Sequence, residues 1–148
     1  MSEEQANYFP MLDGIEDETA RKIAILKYEN HLMSGETIDL DVHHHRSPGI
    51  YTRTVVVEKG VTVTGNIHIT EHLTVIVGDV EIADHNGSRR LTGYHIIASE
   101  PGIKRCVYAY EDTIFTTIHA VYDGMSINEI ENSLFVSNYE EYEQRRLN

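Results

Sequence analysis

The sequence predicts an all-β barrel or sandwich with a helix at each end. Three observations predict it. Val, Ile, Thr and Tyr dominate residues 50–122; turn signals interrupt that stretch at short intervals with no helical segment between them; and helical patterning is confined to what precedes and follows it. Seven or more short strands joined by turns have to close into a sandwich, jelly roll or barrel to bury their apolar faces.

The elements follow in order. Residues 1–40 begin acidic and turn helical: Asp17 is placed as an N-cap, residues 18–33 carry good helix formers, and Gly35 supplies a stop. The buried stripe of this helix is expected to be narrow, built on Ile23 and Leu26 with Ile25 and Leu32 beside them. Turn signals then recur at Ser47-Pro48-Gly49, Lys59-Gly60, Gly78-Asp79, Asn86-Gly87, Pro101-Gly102 and Glu111-Asp112. Asn86-Gly87 predicts a type I′ hairpin, which needs positive φ at both central residues. Thr62, Thr64, Asn66 and His68 alternate with Val61, Val63, Gly65 and Ile67, a pattern shared by a polar-lined barrel strand and a solvent-facing one. Near the end, Ser126 and Glu129 form a capping box before an apolar stripe of Ile127, Ile130, Leu134 and Phe135, and the polar residues 138–148 are expected to fray. The chain divides as one domain, 1–148: a helical arm (1–47), a barrel (48–122), and a C-terminal helix and tail (123–148).

Composition excludes several function classes. A net charge of −12 argues against a nucleic-acid polymer or an anionic membrane as partner, since phosphate surfaces select clustered Lys and Arg. No apolar run reaches the ~18 residues of a membrane-spanning helix. The start, MSEEQANYFP, lacks the basic and apolar regions of a secretory signal, so a cytoplasmic protein is expected. The single cysteine, Cys106, excludes an internal disulfide and a CxxC zinc site, and its strand setting suggests packing. No serine lies in a nucleophile elbow, and no glycine-rich loop precedes a helix. Nine histidines direct attention to imidazole clusters.

The sharpest local pattern is Gly60, five residues, Asn66-Ile67-His68, three residues, His72, five residues, Gly78. It resembles the first motif of the cupin superfamily (Gly, five residues, His-x-His, three or four residues, Glu, six residues, Gly), with Asn66 in the first His place and His72 in the Glu place. The phrase Pro101-Gly102, two residues, Arg105, three residues, Ala109 resembles the second motif, with Arg105 for its His and Ala109 for its Asn. The phrases SPGIYTRTVVVEKG, TGNIHITEHLTVIVGDV and PGIKRCVYAYEDTIFTTIHA resemble a family of small, mostly uncharacterised tailed-bacteriophage proteins with a cupin-like barrel. The resemblance implies a single cupin-like double-stranded β-helix (jelly roll) with flanking helices, a phage protein acting in the cytoplasm of an infected host, and a homo-oligomer.

Candidate site residues follow from these positions. His68, His72 and His119 are the candidates for a divalent transition metal and for acid–base catalysis. Arg105, a permanent cation that binds no metal, stands where a metal ligand is expected. An inward Arg105 with Asn66, His68, His72 and His119 suits a small anion, with Tyr108, Tyr110 or Tyr94 available to stack on a base or sugar. Glu71 and Glu81 are its candidate carboxylate partners. The run His43-His44-His45 reads either as a solvated loop or as a rim that closes the pocket or meets a second subunit. Three functions compete: a binding protein for a small anion such as a nucleotide-derived host-defence signal; an enzyme using these histidines, with or without metal; and a virion or assembly protein without ligand.

Overall fold

The computed structural model describes residues 8–147. A 3₁₀ turn (Pro10–Leu12) leads into α1 (Glu18–Met33). Nine strands follow: β1 (Asp41–Ser47), β2 (Ile50–Val57), β3 (Thr62–Thr64), β4 (Ile67–His68), β5 (His72–Asp84), β6 (Gly87–Ser99), β7 (Cys106–Ala109), β8 (Thr113–Ala120) and β9 (Phe135–Val136). Helix α2 (Ile127–Leu134) precedes β9, and α3 (Tyr139–Arg146) follows it. Seven strands form one curled antiparallel sheet in the order β1-β2-β8-β5-β7-β3, with β6 on the other edge of β5; β4 and β9 form a small second sheet.

The barrel bends where β5 changes partner. Residues 73–77 of β5 pair with β8, and residues 80–83 pair with β7. Gly78 sits at the change with φ 153°, and a β-carbon there would lie 2.8 Å from the Thr113 backbone. Only glycine admits so close an approach, so Gly78-Asp79 is a corner within one strand and not the predicted turn. The inner face buries Val57, Ile76, Val80, Ile82, Val107 and Ala109 as the main core.

On the outer face, the second half of β5 and β7 lie beneath the N-terminal segment, where Phe9, Leu12 and Ile25 pack on Ala83 and Cys106. The Asp17 side chain caps α1 by accepting from the Ala20 N–H at 2.8 Å. The buried stripe differs from the expected one. Arg21 and Ile25 are buried with Ala24 and Tyr28 beside them, and Ile23 is 50% exposed. The spacing is helical, but the stripe carries an arginine and a tyrosine, which a hydropathy pattern passes over. Arg21 is satisfied by three carbonyls, Asp84, Leu12 and Ile15. Lys104, fully buried, fastens α1 to the barrel through Glu29 Oε2 at 2.7 Å and the Gly65 carbonyl at 2.7 Å.

Three other expectations are adjusted. The β5–β6 hairpin exists, but its two-residue loop is His85-Asn86, since Asp84 pairs with Gly87; neither loop residue has positive φ, so the turn is not type I′. The His43–His45 run is not a loop: it lies on β1, which adds an edge strand to the sheet ahead of residue 48. Residues Tyr139–Arg146 form α3, capped by the Asn138 side chain and anchored by Tyr142, whose ring lies against Gly102. Ser126 caps α2 as its box predicts, and Ile130 and Leu134 pack on Tyr51. No helix among the described residues is long and apolar enough to cross a membrane.

Candidate functional site

The curled sheet encloses a cavity of about 150 Å³. Alternation along three strands builds most of its wall: Arg53, Val55 and Val57 from β2, Phe115 and Thr117 from β8, and Arg105 and Val107 entering and on β7; β3 adds Val63, with Thr64 at the edge where the strand ends. The chain leaves strand geometry at Gly65 and Asn66, which resets the register, and Asn66 and His68 then face the cavity. The polar row of the sequence is therefore split. Thr64 hydrogen-bonds outward to Glu29 of α1, Thr62 pairs with Tyr108, and only Asn66 and His68 present polar heads to the cavity alone.

His68, His72 and His119 come together from β4, β5 and β8. Ring centroids are 4.2 Å apart for His68–His72, 4.9 Å for His72–His119 and 5.6 Å for His68–His119, with near-parallel planes. His72 Nδ1 donates to the Thr70 carbonyl at 2.9 Å, so its Nε2 is a bare acceptor; His119 Nε2 meets Thr117 Oγ1 at 2.9 Å. Burial, followed by the neighbouring His72, His119 and Arg105, holds the His68 imidazole well below its ordinary pKa. Burial also lowers His72, and it brings His119 down to about 4. All three rings are neutral at pH 7. His68 Nδ1, His72 Nε2 and His119 Nδ1 are buried without a hydrogen-bond partner among the described residues.

Arg105 is 9% exposed and lines the cavity. Its Nη1 donates to Thr74 Oγ1 at 3.2 Å and Ser99 Oγ at 3.0 Å. Its carboxylate partner is neither Glu71, which is exposed, nor Glu81, which accepts from the Tyr8 N–H and the Tyr110 hydroxyl. The partner is Asp84, 3.5 Å from Nε, because the β5–β7 register sets Ala83 against Cys106 and so brings their neighbours together. Burial lowers the guanidinium pKa and Asp84 opposes that shift. Nε itself makes no hydrogen bond.

Three tyrosines are not in the cavity. Tyr108 alternates with inward Val107, so it faces outward and stacks on Tyr8 at 3.6 Å. Tyr110 lies under the Arg90 guanidinium, and Tyr94 is on the open outer face. The Cys106 thiol is buried, with its pKa pushed up to about 12, and is inert. The wall residues that sequence reasoning passed over are Arg53, Phe115, Thr117 and Phe135, with Asp84, Thr74 and Ser99 behind Arg105. Phe115, Thr117 and His119 alternate on one strand, which was the available signal.

Among the described residues no group of three or more His, Cys, Asp or Glu is arranged to hold a metal ion. Stacked rings do not aim their in-plane lone pairs at one point, and the cationic Arg105 lowers the basicity of His68 and His72. As arranged, the residues do not fit a cupin metal centre.

A curled antiparallel half-barrel with a corner in its longest strand and helices on its flanks is a cupin-type β-barrel. Similar solved structures include an uncharacterised double-stranded β-helix protein from Klebsiella pneumoniae (18% identity, 62% of this chain and 84% of that one, TM-score 0.49). A cupin superfamily protein from Desulfitobacterium hafniense is similar at 10% identity (59% and 82% covered, TM-score 0.48), and KdgF from a Halomonas species at 14% (62% and 91% covered, TM-score 0.47). No family model and no curated protein matches the chain.

Proposed function

We propose that the barrel cavity binds a small organic anion with an apolar body, its anionic head on Arg105, Asn66 and His68. One observation carries the reading: a nine-tenths-buried guanidinium, whose Nε–H faces Asp84 at 3.5 Å without making a hydrogen bond, stands in the wall of a cavity otherwise lined mainly by Val, Ile, Leu and Phe. A buried donor left unmade costs about 1–3 kcal/mol, and a ligand oxygen removes that cost. A volume of about 150 Å³ matches an apolar cavity that takes benzene. A whole nucleotide would seat only its base or its phosphate. For a chain resembling tailed-phage proteins, the proposed ligand is an anion of the infected host's cytoplasm, held and not cleaved. The unpartnered imidazole nitrogen on the cavity wall favours a second reading, proton transfer to a bound substrate, in which His68 Nδ1 is the base.

Thermal shift and calorimetry with benzoate, benzamide and adenosine monophosphate test this. Benzoate is expected to stabilise the wild type and benzamide to do so less. Arg105→Met strands Asp84, so the double variant Arg105→Met/Asp84→Asn serves as the folded control and should lose benzoate binding. Equal affinity in that variant removes Arg105 from the site. Preference for the nucleotide replaces the compact anion with a larger one, and time-dependent consumption of any probe moves the reading to the enzyme.

A further inference from the structure

Strand β6 pairs with β5 alone, and it bends with its partner where Gly93 stands opposite Gly78. The bend folds one half of β6 towards the other. Along a straight strand Arg89 and Ile97 would lie ~27 Å apart. Here both line one cleft of about 510 Å³, which shares Ile103 and Arg105 with the cavity as a common wall. The charged groups of the cleft are Arg89, Arg105, Asp84 and Glu100. Two of them face each other: the Arg105 Nε–H lies 3.5 Å from Asp84, although it makes no hydrogen bond. The other two are unmatched. Arg89 has no hydrogen bond or ion pair among the described residues. Glu100 Oε1 accepts from His85 Nε2 at 3.0 Å and from Asn86 Nδ2 at 2.6 Å, whereas Oε2 has no partner among them. Burial lowers the Arg105 pKa and Asp84 raises it; Arg89 and Glu100 act on it as well, so the four charges are gathered within electrostatic reach of one guanidinium.

We propose that this cleft is a second ligand site, for a small zwitterion of the amino acid class, its carboxylate on Arg89 and Arg105 and its ammonium on Glu100. The lining singles out that chemistry. A lone anion at Arg89 also faces Asp84 and Glu100, and a lone cation at Glu100 also faces two guanidiniums. A ligand that carries both charges meets each group with its opposite. The Arg89 fork matches a carboxylate with parallel N–H donors, and the nine-tenths-buried Arg105 supplies an Nε–H that the chain itself leaves unmade. Net charge agrees. A chain of −12 repels a free anion at long range, whereas a zwitterion of zero net charge approaches it without that barrier. Between the charged groups the lining is Ile82, Ile97 and Ile103, so the frame that joins the two ligand charges is hydrocarbon. A volume of about 510 Å³ falls within the range of roughly 300–1,000 Å³ for small-molecule sites. The site does not rest on what the cavity holds, although Arg105 is common to both.

Calorimetry on the full chain with two isomers, L-leucine and 6-aminohexanoate, tests the proposal. They share composition and charges and differ in the distance between the charges. At least one should bind the wild type, and Arg89→Ala and Glu100→Gln, measured separately, should each weaken that ligand at least tenfold. Arg89 is exposed, and glutamine at 100 keeps an oxygen for His85 and Asn86, so the fold is spared; an unchanged Tm without ligand checks this. Hexanoate and hexylamine, which each lack one charge, should show no binding that either variant removes. Benzoate reads the cavity, and both variants should take it as the wild type does. A wild type that binds neither isomer overturns the proposal. An isomer whose affinity either variant leaves intact overturns it too, by placing the zwitterion elsewhere. Loss of hexanoate or benzoate in Arg89→Ala overturns it by showing a site for simple anions. A wild type that binds an isomer and not benzoate upholds this site and overturns the reading of the cavity.

Discussion

Lowering the pH from 7 to 5 should destabilise this protein through its buried histidines, and His119 allows the size to be worked out. In the unfolded chain its imidazole titrates near 6.5; in the fold, burial among apolar side chains and the neighbouring His72 and Arg53 bring it down to about 4. Because the folded value is the lower one, the unfolded state binds more protons between these two values. The contribution to stability is therefore full above 6.5 and is lost progressively as pH falls toward 4. Integrating across that gap gives about 2 kcal/mol lost between pH 7 and pH 5, and about 3.4 kcal/mol below pH 4. For a domain of this size the first figure lowers Tm by roughly 4–8 °C. His68 and His72 are lowered too and add in the same direction, so the figure for His119 alone is a floor. The lowered carboxylates Asp79 and Glu100 titrate below this window and contribute little within it. Urea unfolding at pH 7 and pH 5, on the wild type and on His119→Gln, measures the effect. Glutamine keeps a polar group near Thr117 but cannot titrate, so its loss of stability over the window should be smaller by about 2 kcal/mol. An identical pH dependence in the two proteins would refute the reasoning and show that the His119 imidazole is solvated in the fold.

Two further predictions concern the scaffold. Ile25→Ala should cost about 2–5 kcal/mol, because it opens a cavity beneath α1, whereas Ile23→Ala should change stability by less than about 0.5 kcal/mol; chemical denaturation of both variants checks which stripe is buried. Gly78→Ala and Gly87→Ala replace glycines of the same φ, 153°, but an alanine methyl at 78 meets the Thr113 backbone and one at 87 meets nothing within 4 Å. The first should therefore cost at least about 2 kcal/mol more than the second, and equal melting temperatures would remove the corner at Gly78 as the reason for the bend.

Much of the fold was legible because its signals are local. Asp17 and Ser126 act through hydrogen bonds three residues away, and the β-branched runs separated by Pro-Gly and Lys-Gly turns dictate short strands whatever their partners. Gly78 was misread for a reason that is not local: a glycine between two strand-like runs looks the same whether the chain turns back or continues and changes partner, and only Thr113, far along the chain, decides. The α1 stripe was missed because Arg21 is buried by carbonyl acceptors that the 3₁₀ turn and the β5 end bring to it. In the site, motif spacing brings His68 and His72 together and the position on the last barrel strand adds His119, but of the three only His68 lines the cavity. It could not place Tyr108, whose direction depends on whether Arg105 or Lys104 enters the barrel, nor name Asp84, which reaches Arg105 only through cross-strand register.

The pair Lys104-Arg105 shows how one alternation divides structure from function. Successive residues point to opposite faces, so these two neighbouring cations end on opposite sides of the same sheet. Lys104 finds a carboxylate and a carbonyl, each at 2.7 Å; its charge is neutralised and its work is to hold α1 down. Arg105 finds a carboxylate at 3.5 Å and two hydroxyls that also bond each other at 2.9 Å, which leaves its Nε–H unmade. The guanidinium fork needs in-plane acceptors on both edges, and Thr74 and Ser99 serve only Nη1. His68 beside it, held neutral by burial, brings hydrogen-bonding capacity without competing charge. On the proposed reading, a cavity with one incompletely matched cation, one neutral imidazole and an apolar wall would discriminate by shape first and by a single anionic group second. The same cavity would be a poor home for a polyphosphate, whose several charges would face valines and phenylalanines with only Arg53 and Arg105 to meet them.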